Sequence, residues 1–337
     1  MNALTIKSES DLAPNRMAQT PERNSGHTSP RISVVTCAYS DQRWDALVDA
    51  VASAHDQDPP PDEVVVVIDH NEQLLNRARR DLSRARVVAN EESSGLSGAR
   101  NTGVRYAIGE IVAFLDDDAR ARPGWLRALA SAFEDPAVIG AGGVAVPAWE
   151  SRAPSWIPSE FLWVVGCSYR GLPLTRTEIR NPIGANMAFR RSVLEGVGGF
   201  TDGIGRVGRT PLGCEETELS IRARAATGGR IVQIPDAEVE HRVSPDRTRW
   251  LYFRRRCWAE GLSKAVVARS VGSDAALERE RSYVTRTLPS GVARGLADAF
   301  TGDRSGVARS GAIVAGLVIT TAGYVLGLVS TALRGRS

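Results

Sequence analysis

Short apolar runs and longer amphipathic stretches alternate along the chain from residue 31 onward. Residues 32–37 (ISVVTC), 63–68 (EVVVVI) and 110–115 (EIVAFL) are nearly unbroken β-branched runs, and 86–89 is a weaker one. Between them, 44–55, 73–83 and 98–107 space their apolar residues as helices do. Strands without polar alternation are buried on both faces, so the pattern predicts an α/β fold, a mostly parallel mixed sheet with helices on both sides. Past Pro123 it predicts a helix to about 133, strands over 138–146 and 186–190, and a helix over 215–226. Two short strands over 230–234 and 238–242 and a helix over 248–270 complete it. Between 147 and 182, prolines and Trp149, Trp156 and Trp163 replace periodicity, which predicts an irregular, substrate-facing region.

The two ends depart from this rhythm. Residues 1–30 are polar and contain no apolar stretch of signal-peptide length, so a disordered lead-in is expected there. Residues 310–333 carry no charge; as a helix they would run about 36 Å, against a hydrocarbon core of about 30 Å. Their Gly, Ala and Thr content suits a membrane span, an interfacial helix or a buried C-terminal helix alike. Gly323 and Gly327 stand at G-x-x-x-G spacing, which lets another helix approach closely. A net charge of +3 on 337 residues gives nucleic acid no electrostatic footprint. Four scattered cysteines, without a C-x-x-C pair, suggest free thiols in a reducing compartment.

In a parallel sheet, ligands collect beyond the carboxyl ends of the strands, where Tyr39, Asp69 and Asp116-Asp117-Asp118 fall. Three adjacent carboxylates repel one another unless a cation neutralises them, and hard oxygen ligands suit Mg²⁺ or Mn²⁺. His241, after a short strand, is either a structural histidine or an imidazole completing such a metal shell. Asp69 either accepts hydrogen bonds from a base or forms a turn. Arg100, in the segment 94–103 (SGLSGARNTG), faces a diphosphate, orients the acidic run or is a solvated side chain at a helix N-terminus. Glu215 and Glu216 open a helix after a Gly-rich segment; they are dipole partners or carry a carboxylate that takes a proton from an attacking hydroxyl. The stretch 247–256 interleaves Arg with Trp250, Tyr252 and Phe253, fitting anionic headgroups, a pyrophosphate-bearing acceptor or a solvated face.

Taken in order, these segments resemble the family 2 glycosyltransferases over residues 32–264. The 32–39 strand, Asp69, and 95–103 as G-x-x-x-A-R-N-x-G carry the first half of the likeness. Phe114 to Asp118 followed by Pro123-x-Trp125-Leu126 is similar to the family's D-x-D stretch, with Asp116 and Asp118 at the acidic positions. Gly184-Ala-Asn186 with Gly198-Gly199-Phe200, and Glu215-Glu216 with Glu218-Leu219 and Arg222, resemble its acceptor-side and base-bearing segments. The resemblance implies a GT-A type nucleotide-diphospho-sugar transferase domain and inverting transfer of a sugar. It implies donor contacts from Thr36, Ala38, Tyr39, Asp69, Arg100, Asp116 and Asp117, and Mn²⁺ or Mg²⁺ on Asp118, Asp116 and His241. Glu216 takes the place of the base, usually Asp, with Glu215 as rival; Asn186, Trp258 and Arg254 fall on the acceptor side. Processive members carry Q-x-x-R-W, which Arg254-Arg-Arg-Cys-Trp258 only loosely echoes, so one sugar per encounter is expected.

The expected organisation is a lead-in at 1–30, a catalytic domain over 31–245, a helical acceptor and membrane-contact region over 246–306, and a transmembrane or membrane-embedded helix over 307–333. The expected partners are a nucleotide-diphospho-sugar, a polyprenyl-linked or glycan acceptor and membrane lipids, at a cell membrane with the catalytic domain on its cytoplasmic face, in surface-glycan or glycolipid synthesis. A dehydrogenase would place G-x-G-x-x-G after the first strand, where this chain has Thr36-Cys-Ala-Tyr-Ser-Asp41. A sugar nucleotidyltransferase would want a Gly-rich basic loop there. The alternative from another class is an inactive sugar-nucleotide-binding or membrane scaffold module.

Overall fold

Four strands, β1 (Ile32–Ala38), β2 (Glu63–Ile68), β3 (Arg86–Ala89) and β4 (Ile111–Leu115), pair in parallel in the order β3-β2-β1-β4. These elements belong to a computed structural model that describes residues 30–205, 212–272 and 280–334. Most of the expected lead-in, residues 1–29, and part of the Gly-rich segment before Glu215 lie outside the described residues. The unbroken apolar runs follow from the sheet's two cores. Val34, Val64, Val66 and Ala113 point to one side, against Leu47 and Val51 of α1 (Trp44–His55) and Leu129 of α4 (Trp125–Ala132). Val35, Val65, Val112 and Phe114 point to the other, against Val104 of α3 (Leu96–Tyr106) and Leu219 of α6 (Glu215–Thr227). Alternate residues thus fill opposite faces, and a polar one needs a partner, as Ser33 Oγ finds by donating to Glu63 Oε1 at 2.6 Å.

The sheet then turns mixed. β8 (Asn186–Arg190) runs antiparallel to β4, β6 (Val138–Trp149) antiparallel to β8, and β9 (Arg230–Val243) parallel to β6. Two short strands, β5 (Ala119–Ala121) and β7 (Thr177–Ile179), pair antiparallel with β9. The two short strands expected over 230–242 are one element. Pairing with β6 breaks between Gln233 and Glu238, across the donor-less Pro235, and resumes beyond it. Asn186 holds that irregularity together: its side-chain amide donates to Val144 O at 3.0 Å and Ala237 O at 2.8 Å, and its Oδ1 accepts Trp125 Nε1 at 2.8 Å.

After β9 come α7 (Trp250–Val271), α8 (Leu288–Phe300), entered through a π-helical turn over Tyr283–Thr287, and α9 (Ser305–Arg334). The region expected to be irregular contains a 3₁₀ helix, Ser159–Val165, whose Phe161 and Val164 join Phe253, Cys257, Leu288 and Ile313 in a third core. Small residues set the approach of α9 to α7: a Cβ on Gly261 would overlap Thr320 O, and one on Gly327 would lie 2.6 Å from Ala265 Cβ. The partner for Gly323 and Gly327 is therefore within this chain. The segment Ser305–Val329 is long and apolar enough to cross a membrane, and 28% of its apolar 18-residue window is buried. Val307, Val314, Val318, Val325 and Val329 form its exposed stripe.

Gly261→Val should cost about 1–3 kcal/mol by overpacking the α7–α9 seam. Gly311→Ala, on α9 where a Cβ meets open space, should be neutral or stabilise by up to about 1 kcal/mol. Thermal unfolding in detergent distinguishes the two; equal melting would mean that the seam contributes no stability.

Candidate active site

A single cavity of about 460 Å³ lies over the carboxyl ends of β1, β2 and β4 and continues beneath α7, α8 and α9. Ala38, Tyr39 and Asp69 line one part, Asp116, Asp117 and Asp118 its middle, and Glu215, Glu216, His241 and Arg247 the far wall. Asp69 is already engaged: Asn90 Nδ2 donates to it at 2.7 Å and the Gly95 amide at 3.0 Å, tying the end of β2 to the start of α3.

The acidic run leaves β4 in a turn closed by the Ala119 amide on Asp116 O at 3.0 Å. β5 then pairs Ala119 with His241, which brings distant sequence to the same point. Ligand atoms of Asp116, Asp118 and His241 all lie within 4.8 Å of one another. His241 Nε2 is 3.2 Å from Asp118 Oδ1, and Arg247 and Arg43 reach Asp118 Oδ2 at 2.9 and 3.2 Å. Burial pushes the imidazole pKa down, yet the Asp118 charge outweighs it and the value rises to about 10. Burial likewise favours neutral Asp118, but His241 and Arg247 hold it well below the usual carboxylate range. Imidazole and carboxylate thus favour each other's charged forms. Two carboxylates and an imidazole are a donor set that fits Mn²⁺ or Mg²⁺. Gly166 (φ +85°) makes room for the ring, since a Cβ there would stand 2.9 Å from His241 Cε1.

Asp117 shares Arg43 Nη1 with Asp118, at 2.9 Å from its Oδ1, and its Oδ2 is buried without a hydrogen-bond partner among the described residues. Burial, then the charge of Asp118, pushes its pKa up to about 7.

Arg100 is 2% exposed and donates to Glu215 Oε1 at 2.9 Å, Gly184 O at 3.0 Å and Asp116 Oδ1 at 3.3 Å. Arg100 is therefore not a solvated side chain, and it contacts both the acidic run and the cavity. Asn101 beside it clamps the Gly-Gly-Phe turn, donating to Phe200 O at 2.8 Å and accepting the Phe200 amide at 2.7 Å. Glu215 is locked to Arg100, whereas Glu216 makes no ion pair among the described residues and lines the cavity. Burial, reinforced by the Glu215 charge, pushes Glu216 up to about 8.

Ten of the residues singled out in the sequence meet in this cavity: Ala38, Tyr39, Asp69, Arg100, Asp116, Asp117, Asp118, Glu215, Glu216 and His241. Four do not line it. Thr36 is buried inside β1, Asn186 is consumed by the sheet irregularity, and Arg254 and Trp258 lie on the exposed outer face of α7. Arg43 and Arg247 belong to the site and were not singled out for it. Arg247 stood in the basic run; Arg43 follows a Ser-capped turn after β1, and that capping signal alone could have placed it.

A family model described as Glycosyl transferase family 2 matches residues 33–198. The chain is 37% identical over 243 residues to a glucosyl-dolichyl phosphate glucuronosyltransferase of Haloferax volcanii, covering 70% of this chain and 77% of that one. In fold it is similar to the mannosyltransferase PcManGT from Pyrobaculum calidifontis, solved with GDP-Man and Mn²⁺. The TM-score is 0.54 and the identity 20%, over 87% of this chain and 88% of that one. It is also similar to GalNAc-T7, solved with UDP, GalNAc and Mn²⁺, at a TM-score of 0.50 and 15% identity, over 76% and 55% of the two chains.

Arg100→Met leaves the buried Glu215 carboxylate uncompensated and should cost about 3–5 kcal/mol. Adding Glu215→Gln should recover part of that loss; chemical denaturation of the single and double variants measures both.

Proposed function

The chain belongs to glycosyl transferase family 2, and on that premise we propose that it transfers one sugar from a nucleoside-diphosphate sugar to a lipid-linked acceptor, inverting the anomeric centre. One observation carries the reading: Glu216, without an ion pair among the described residues and raised in pKa, opens into the same cavity as the Asp116–Asp118–His241 cluster. The acceptor hydroxyl gives its proton to Glu216 as its oxygen bonds to the sugar C1. The C1–O bond to the diphosphate breaks on the opposite face, and opposed attack and departure give inversion. Arg43 and Arg247 lie within reach of a diphosphate bound at the acidic run and offset its charge. Mn²⁺ or Mg²⁺ on Asp116, Asp118 and His241 would supply further charge stabilisation for the departing diphosphate. Glu215, spent on Arg100, orients and does not take the proton.

The Haloferax relative, named for a dolichyl phosphate acceptor, supports a lipid-linked acceptor here. The open apolar face of α9 supports membrane attachment; a catalytic domain on the cytoplasmic side is part of the proposal. On this reading Tyr39 and Asp69, which line the cavity, meet the nucleoside, and α7, α8 and α9 meet acceptor and lipid.

Glu216→Gln should lower kcat by about 10²–10⁴-fold while leaving the donor KM little changed. Because the base must be ionised, kcat/KM in the wild type should rise about tenfold per pH unit and level off above pH 8. A flat profile between pH 6 and 8 would remove Glu216 from that role. Chelation should abolish nucleotide release and Mn²⁺ restore it, with Asp118→Asn unresponsive to the added metal; chelator-resistant turnover would overturn the metal assignment. The anomeric configuration of the product, read by NMR, decides inversion against retention.

A further inference from the structure

Beyond Glu216 the cavity holds a second charged cluster that the transfer step does not use. Lys264 Nζ lies 2.6 Å from Glu280 and 3.2 Å from Glu260. The Arg180 guanidinium grips Glu280 with two hydrogen bonds of 2.8 and 3.1 Å, and Arg256 stands 3.8 Å from Glu260. All five side chains line the cavity, none more than 20% exposed. The cluster abuts the catalytic helix: Cys214, two residues before Glu216, has its Sγ 3.4 Å from Glu260.

Burying so many charges is costly, and apolar residues of similar volume would usually be no less stable. The remaining wall is of another kind. Leu288, Leu317, Thr320 and Tyr324, from α8 and α9, line the same cavity, and the neighbouring face of α9 is the exposed valine stripe. Cations beside the proton acceptor, followed by an apolar passage, match a ligand whose anionic group sits between the reacting sugar and a hydrocarbon chain.

We propose that Lys264, Arg180 and Arg256 form the subsite for a phosphate group of an amphiphilic acceptor, with Leu288, Leu317 and Tyr324 guiding its hydrocarbon chain. This rests on the glycosyltransferase reading of the cavity and adds which acceptors it takes: those bearing a phosphate next to the lipid. Glu260 and Glu280 hold the cations in place and yield part of their hydrogen bonding to the bound phosphate.

The test is binding to the full chain in detergent, with a polyprenyl phosphate, a polyprenol of equal length and inorganic phosphate as probes. The phosphorylated lipid should bind at least about tenfold more tightly than the alcohol, and inorganic phosphate should compete only weakly. Lys264→Gln and Arg256→Gln, made separately, should each lose about tenfold or more for the phosphorylated lipid, with nucleotide affinity within about twofold of wild type. Retained nucleotide binding shows that each variant is folded, and Arg256→Gln disturbs the weaker of the ion pairs. Equal binding of alcohol and phosphate, or unchanged lipid-phosphate binding in both variants, would overturn the assignment. Competition by inorganic phosphate as strong as by the lipid would make this a free-phosphate site and overturn the acceptor role. Failure of sugar transfer with phosphorylated-lipid binding intact would instead count against the glycosyltransferase reading alone.

Discussion

The Arg100 guanidinium, sealed from water, joins three parts of the chain at the floor of the cavity. It comes from α3, takes Glu215 from the start of α6, Asp116 from the end of β4, and the Gly184 carbonyl ahead of β8. A buried cation must have its partners, so the acidic run and the Glu215-Glu216 pair cannot drift apart without leaving it exposed to an apolar interior. Phe114 and Phe200 stand beside the same guanidinium, 5.8 and 5.3 Å from it to their ring centres, and keep water out. One consequence is a division of labour between neighbours. Glu215 faces Arg100 and is fixed, so Glu216 is left in a poorly solvated place beside a negative charge, which raises its pKa into the range useful for a base.

The acidic run shows the same logic with alternate directions. Asp116 and Asp118 converge with His241, while Asp117 turns toward Arg43. Arg43, Arg247 and His241 stand against Asp118 and offset the repulsion within the run. Residues far apart in sequence therefore work as one electrostatic unit, and β5 pairing with β9 is what brings the histidine in.

How much of this could be read from the chain follows from range. The parallel strands and their helices were legible because two-sided burial leaves an unbroken apolar run, a purely local mark. The acidic run, Asp69, Arg100 and Glu216 were legible as candidates because each sits where a strand ends or a helix begins. β9 was not legible as one strand: Pro235 interrupts it locally, and only pairing with β6 on both sides joins the halves. Asn186 looked available for the acceptor because its neighbours suggested a site, but Val144 and Ala237 claim its amide. On α7 the difficulty was rotational. Aromatic, basic and acidic residues ring the helix, so the sequence did not say that Arg256, Glu260 and Lys264 turn inward while Arg254 and Trp258 face out.

The seam between α7 and α9 constrains how the proposed membrane contact can work. Along that seam, backbone meets backbone at Gly261 and Gly323, an approach a separate helix in lipid would have to abandon. α7 carries Arg254, Arg255 and Arg269 on its exposed side, and moving these charges into hydrocarbon is costly. A helix pair so joined is better suited to lying at the headgroup boundary than to crossing it, with apolar valines toward the acyl chains and arginines toward phosphates. The cavity is bounded by Leu317 and Tyr324 of that same α9. On the proposed reading, the helix that meets the lipid is also the wall of the acceptor passage. A lipid-linked acceptor could then present its polar end to Glu216 while its chain stays in the bilayer, which avoids the cost of exposing a long hydrocarbon to water.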